Sequence, residues 1–375
     1  MAVSVIRVST RSDLNDFLSL APRIYREDPC WVPSLSREIR RSLDVKQNPY
    51  YTDASCALFL ARRDEETVSR VVALVNHKYR REDGSMRALF GFFESTEDAQ
   101  AVRELFRVAG RWCTSRGATA MVGPFHPHHY SELGIQLSGF DMLPSFFQTH
   151  HRPYYAPLLL QAGFRRDHTV HTRRNPDIRA FLGKKGRTAA REGGFRARRL
   201  DPHDMKNELE RIRIVFNDAF SGNPYFLPLS RAEYHFSAAS LGFVTRPDLN
   251  VIVERGSEPV GVLQCVLDIN PLVAPMRSGK PTPWDVARFL AQRRKISRVI
   301  VFAVGIRKRW HGSRVHPLLD TALAEIAMGF SELESTWMSP ENTLAIQAAE
   351  RFGMLPDKEF GMYERNAIVG RRNAA

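Results

Sequence analysis

The stretch Val299–Ala327, VIVFAVGIRKRWHGSRVHPLLDTALAEIA, decides how the chain is read. An apolar, β-branched run predicts a buried strand over Lys295–Val304, and apolar residues at helical spacing predict a helix over Val315–Phe330. Between them lie Arg307, Lys308, Arg309 and Arg314, together with Gly312. The first N–H groups of a helix lack intrahelical partners, and the macrodipole adds positive potential at the same place. Glycine lets a ligand come close to the backbone, and Arg309 and Arg314 can form charge-assisted bonds to phosphate oxygens. The loop therefore reads as a diphosphate cradle. A solvated basic turn ahead of an amphipathic helix is the plainer reading of the same residues.

Outward from this stretch, one order of elements occurs twice. In the first half, strands are expected at Ser4–Val8, Leu89–Phe93, Ala120–Gly123 and Arg166–Thr172, with a hairpin over Cys56–Arg62 and Ser69–Asn76. Helices are expected from a cap at Thr10 to Tyr25, over Glu97–Ser115 and over Tyr154–Ala162. In the second half, strands are expected at Phe195–Leu200, Ser335–Met338 and Glu359–Arg365, with a hairpin over Asn250–Arg255 and Val260–Ile269. A helix opens at Asp201 and runs to Phe220, and another covers Asn342–Phe352. This duplication predicts an α/β (α+β) protein of two domains, 1–175 and 195–375, joined by a basic connector over 176–194.

A length of 375 residues suits two domains of ordinary size. No apolar run approaches a membrane span, and the start MAVSVIRVSTRSDL has no secretory h-region. A cytoplasmic protein with no membrane partner is expected. Cys30, Cys56, Cys113 and Cys265 are widely spaced, which suits buried thiols. The net charge of +13 is local: Arg165–Arg199 carries +9, Val286–Leu319 another +9, and the rest is acidic. Neither basic zone has interleaved aromatics or a zinc-finger spacing, so no nucleic acid is expected. His126, His128, His129, His150 and His151 lie in two proline-rich loops, but no ligand spacing with a carboxylate accompanies them, so no metal is expected. There is no GxSxG elbow and no Walker loop.

Val304-Gly305-Ile306 followed by Arg309-x-x-Gly312-x-Arg314 resembles the acyl-CoA loop of the GNAT N-acyltransferases, with Arg314 where that family usually has a small residue. The segments Trp337-Met338-Ser339-Pro340-Glu341-Asn342, Glu350-Arg351-Phe352-Gly353-Met354 and Met362-Tyr363-Glu364 are similar to the family's closing motif. The resemblance spans roughly 195–365, and the first half looks like a divergent second copy. The whole chain also resembles uncharacterised bacterial tandem-GNAT proteins through Asp28-Pro29-Cys30-Trp31-Val32-Pro33, Gly91-Phe92-Phe93-Glu94 and Asn217-Asp218-Ala219-Phe220. What this implies is two tandem GNAT-like domains, each a mixed, mostly antiparallel twisted sheet flanked by helices.

The resemblance further implies an acyl-CoA-dependent N-acyltransferase, with acetyl-CoA the default donor and a small primary amine the acceptor. Its coenzyme would meet Phe302, Val304, Gly305, Arg309, His311, Gly312, Ser313, Arg314, Val315 and Asn342. Direct attack of the amine on the thioester needs a base, and an acid for the thiolate. Tyr363 matches the protonating tyrosine, Glu341 is the first candidate base, and Tyr234 and His235 lie where the family binds its acceptor. Cys265 has no adjacent activator, so an acyl-enzyme is not expected. In the first half the corresponding loop is Glu94-Ser95-Thr96-Glu97-Asp98, whose carboxylates would repel a diphosphate, so that half is expected not to bind coenzyme. Two other readings stay open: a non-catalytic ligand- or partner-binding protein, and a transferase fed by acyl carrier protein docked on the basic connector. The chain is expected to be a monomer or a homodimer.

Overall fold

The computed structural model describes residues 2–81, 83–127, 132–183, 191–242, 244–276 and 281–366. In chain order the strands and helices are β1 Val3–Arg7, α1 Arg11–Ile24, α2 Ser36–Ser42, β2 Ala54–Arg63, β3 Glu66–Asn76, β4 Met86–Ser95, α3 Ala99–Thr114, β5 Ala118–Gly123, β6 Ile135–Gln136, α4 Tyr155–Gln161 and β7 Arg165–Asn175. Then come α5 Ile178–Leu182, β8 Arg191–Glu192, β9 Phe195–Arg199, α6 Met205–Phe220, α7 Arg231–Leu241, β10 Asn250–Arg255, β11 Glu258–Leu267 and α8 Asn270–Val273. The chain continues with α9 Pro283–Gln292, β12 Arg298–Ile306, α10 Val315–Ala327, β13 Glu332–Ser335, α11 Thr343–Arg351 and β14 Leu355–Asn366.

Two compact units result, and they are not the two halves of the chain. Unit 1 is Met1–Val170, Val273–Val286 and Glu359–Ala375; unit 2 is His171–Leu272 and Ala287–Lys358. In unit 1 the strands run β1-β2-β3-β4-β5, and the end of β14 pairs with β5 through Tyr363↔Gly123 to Asn366↔Ala120. In unit 2 they run β8-β9-β10-β11-β12-β13, and the end of β7 pairs with β13 through Leu333↔Asn175 and Glu334↔Arg174. Each sheet repeats the other's order, antiparallel except for one parallel pair, β4 with β5 and β12 with β13. The closing strand of each unit comes from the other half. This corrects the expected boundaries 1–175 and 195–375. Backbone pairing answers to the open sheet edge that a strand meets, and two duplicated halves offer similar edges. The connector's residues 184–190 lie outside the described residues.

Local sequence explains most elements. Thr10 and Asp13 form a reciprocal capping box at α1, and Ser230 and Glu233 form another at α7. One face of α3 buries Ala101, Val102, Leu105, Phe106, Ala109 and Cys113, and α10 buries Val315, Leu318, Leu319, Ala322, Leu323, Ile326 and Ala327. Each large side chain among these contributes about 1.5–3 kcal/mol through burial. The strand expected at Ser335–Met338 forms three residues earlier, at Glu332–Ser335, because Met338 turns away to pair with His171.

The start of α3 is closed by its own acid. Asp98 accepts from the Ala101 amide (3.0 Å) and holds Arg63 through two bonds of 2.7 and 3.0 Å. The Arg63 bonds hold the Asp98 carboxyl below its ordinary 3.8, against the effect of burial. A depressed acid stabilises the fold above its ordinary pKa, and that stability is lost as pH falls through the lower folded value. Asp98→Asn is therefore expected to cost about 1 kcal/mol at neutral pH. It should also flatten the acid limb of a stability curve measured by denaturant titration. An unchanged acid limb would count against the pair.

Candidate active site

In unit 2, β12 and β13 part company. Their parallel pairing ends at Val301↔Ser335, yet β12 continues to Ile306 alongside β11. The chain beyond β13 goes the other way: Met338 and His171 exchange backbone bonds of 2.8 and 2.9 Å. A register shift between Gln264 and Cys265 leaves Phe302 opposite no residue of β11. The Thr336 hydroxyl donates to the Phe302 carbonyl (2.9 Å) at the point of divergence. Val304, within an interior strand of this sheet, is 39% exposed. A gap between parallel strands with an exposed apolar side chain suits an extended chain that pairs with backbone on one side.

The loop after β12 is held from below. The Arg307 amide donates to the Val260 carbonyl (2.9 Å), and the Lys308 amide to Asp218 (2.8 Å). Arg307 also bonds Asp218 (3.1 Å) and Glu258 (2.6 Å), and Arg309 pairs with the same Glu258. Burial pushes Asp218 up, but the Lys308 amide and the Arg307 guanidinium outweigh it and keep the carboxyl below its ordinary range. His311 donates from Nε2 to the Ile306 carbonyl (3.0 Å), and the Ser313 hydroxyl to the Trp310 carbonyl (2.6 Å). Gly312 sits at φ +76° with open space beside it. Arg314 takes the N-cap position of α10 without a side-chain cap bond, and Val315 behind it is fully buried. The Val315 amide makes a long bond to the Ser313 hydroxyl (3.4 Å), and this helix start beside an open, left-handed glycine fits a bound phosphate group.

The expected site residues fare unequally. Phe302, Val304, Gly305, His311, Gly312, Ser313, Arg314 and Val315 all fall along this one strand, loop and helix start. Arg309 lies there too, but Glu258 engages it, so it is a loop brace before it is a phosphate ligand. Asn342 caps α11 by accepting from the Ala345 amide (3.2 Å), and exposed Glu341 contacts Ser339. Tyr234 is buried and its hydroxyl accepts from Gln264 (3.2 Å), the residue beside the register shift. Among the described residues, buried Nε2 of His235 has no hydrogen-bond partner. Tyr363 is not in unit 2. It pairs with Gly123, is 2% exposed and belongs to the aromatic core of unit 1, which raises its phenol above the ordinary value. The strand exchange thus puts Tyr363 and the unit 2 loop, which the sequence assigned to one domain, in different units.

The motifs quoted from the sequence do positioning work. In the run Asn217–Phe220, Asn217 exchanges two bonds with Leu229 (2.9 and 3.0 Å), Asp218 braces the loop, and Ala219 and Phe220 lie against Gly305. In unit 1 the other two motifs meet at a polar nest that the sequence did not single out. Glu94 Oε2 accepts from Tyr155 (2.6 Å) and Tyr25 (3.0 Å), and Arg70 stands 3.6 Å from Oε1. Trp31 stacks on Tyr25 at 5.5 Å, and Asp28 holds His150 (3.0 Å) and Arg152 (3.2 Å). Burial pushes the Glu94 carboxyl up, with Arg70 opposing, and drives both phenols well above their ordinary value. Such a carboxylate can take up a proton. His151 accepts from the Gln136 amide (3.2 Å), and His126 contacts Glu132 (3.3 Å). His128 and His129 lie outside the described residues. Among the described residues no group of three or more potential metal ligands converges.

No family model matches the chain. It is 28% identical over 378 residues to the bacterial ceramide synthase of Caulobacter vibrioides, covering 97% of each chain. It is 26% identical over 366 residues to protein YghO of Escherichia coli, covering 95% of this chain and 93% of the relative. Among solved structures it resembles the tandem GNAT protein from the clavulanic acid biosynthesis pathway, with a TM-score of 0.58 and 12% identity over 98% of this chain and 99% of that one.

Proposed function

We propose that this chain, which has the tandem GNAT fold, is an acyltransferase that moves an acyl group from acyl-CoA in unit 2 to a primary amine. The fold is one that supports acyl transfer, and its solved neighbours of this kind are described as acetyltransferases. The observation that carries the reading is the divergence of β12 from β13 beside an open glycine at the start of α10. A diphosphate would rest on the Gly312–Val315 backbone with Arg314 beside it, and the pantetheine arm would run along Phe302–Gly305.

The amine nitrogen attacks the thioester carbonyl, the C–S bond breaks, and the amide and CoA thiolate result. A base takes the amine proton; Glu341 and His235 are the unit 2 residues proposed for it. A cysteine intermediate is disfavoured, since burial pushes the fully buried Cys265 thiol up to about 12. The relative named as a ceramide synthase supports an acceptor of one class, a long-chain amino alcohol, because a ceramide is the amide of such a base.

The test is release of CoA thiol from acetyl-CoA and from a long-chain acyl-CoA, with a small amine or a long-chain amino alcohol as acceptor. A carrier-protein thioester serves as a parallel donor. Release is expected only with donor and acceptor together, fastest with the amino alcohol. Arg314→Ala should weaken coenzyme binding about tenfold, the loss of one charge-assisted contact. Failure of every donor to bind by calorimetry would end the proposal.

A further inference from the structure

Helix α9 turns most of its apolar side chains to water and tucks only Phe289 inward. A reciprocal cap fixes its start: the Thr282 amide and hydroxyl donate to Asp285 (2.9 and 2.7 Å), and the Asp285 amide donates back to the hydroxyl (3.2 Å). At 100° per residue, Trp284, Val286, Ala287, Leu290 and Ala291 share one side, while Asp285, Arg288 and Gln292 share the other together with half-buried Phe289. The apolar side is the exposed one: Trp284 is 76% exposed, Leu290 53% and Val286 47%. Asp285 and Arg288 on the polar side are half-buried, and no residue of the helix is buried. Amphipathic helices on globular domains turn the opposite face to water.

Positive charge adjoins this face. The turn that follows carries Arg293, Arg294 and Lys295, all exposed, and the run Val286–Leu319 contains no carboxylate. A short capped helix with a tryptophan-bearing apolar face and a basic rim has the composition of an interfacial helix. From this we infer that α9 docks the protein on an anionic lipid bilayer, with Trp284, Val286 and Leu290 in the interface and the Arg293–Lys295 turn against the headgroups. The sequence-based expectation of no membrane partner weighed only spanning helices, and among the described residues none is long and apolar enough to span. Docking is independent of the proposed reaction; only its use, to reach an amine resident in the bilayer, rests on that reading.

The test is flotation of the full chain with phosphatidylcholine vesicles, with and without phosphatidylglycerol, at low and high salt. Co-flotation is expected with the anionic vesicles and should fall with salt. Trp284→Ser with Leu290→Ser should reduce it at least about tenfold, and so should Arg293→Ala with Arg294→Ala and Lys295→Ala. Both sets alter exposed side chains, so melting curves should match the wild type. Absence of flotation, or flotation unaffected by the Trp284 and Leu290 changes, would overturn the inference. So would light scattering showing self-association that these changes abolish without any vesicle binding. Thiol release from soluble substrates is read in parallel, so loss of docking and loss of chemistry are told apart.

Discussion

Gly91→Ala is expected to destabilise unit 1 by roughly 3 kcal/mol or more, because the added methyl has nowhere to go. A Cβ at Gly91 would lie 1.7 Å from the Phe125 carbonyl oxygen and 2.8 Å from its carbon. Both are backbone atoms, and a side-chain rotation cannot relieve them. The Phe125 backbone is itself tied down: its amide donates to the Phe90 carbonyl (2.8 Å), and Phe125 bridges to Leu133. Moving it would also disturb Phe92, held at φ +51° and stacked on His126 at 4.4 Å. Gly256→Ala is the control, since its left-handed φ of +61° strains alanine but the space beside it is open; it should cost about 1 kcal/mol. Guanidinium unfolding followed by tryptophan fluorescence measures both. A Gly91→Ala protein within about 1 kcal/mol of wild type would mean that the Phe125 backbone can move away from β4.

The second large effect concerns Glu94. Arg70 is 4% exposed, and besides Glu94 its guanidinium meets the Phe17 carbonyl (2.5 Å) and the Phe17 ring. Glu94→Ala leaves that cation buried beside two phenols that have lost their acceptor, and should cost about 3–5 kcal/mol. Replacing both members, Arg70→Met with Glu94→Leu, removes the charge together with its partner and should recover much of the loss. If the double variant is as unstable as the sum of the singles, the pair does not act as a unit. The pH slope supplies a second reading. Burial raises Glu94 above its ordinary 4.5, so its contribution is full below that value and declines as pH rises through the folded one. This is the reverse of Asp98. Glu94→Gln should remove the decline while Asp98→Asn leaves it in place.

The basic, glycine-bearing loop could be found in the sequence because strand, loop and helix start are contiguous. Its residues Phe302–Val315 need no distant partner to be gathered in one place. What the sequence missed there is what holds the loop: Glu258 and Asp218 claim Arg307 and Arg309, so charge counted along the chain overstated the charge open to a ligand. Tyr363 was misplaced for a different reason. Its strand reads as the last of the second half, and only the pairing with Gly123 reveals its unit. The Glu94 nest joins residues 69 and 61 positions apart, and two quoted motifs contained some of its parts with no sign that they meet.

By itself, then, the chain determined its capped helices, its hairpins, the repeated order of elements and the loop at Gly312. All are set by neighbours within a turn or two, where spacing and capping chemistry act. Tertiary structure alone decided which half supplies each closing strand, where Glu94 finds its phenols, and which side of α9 faces water. Those outcomes depend on edges and surfaces brought together by folding, and no local pattern records which surface a given face will meet.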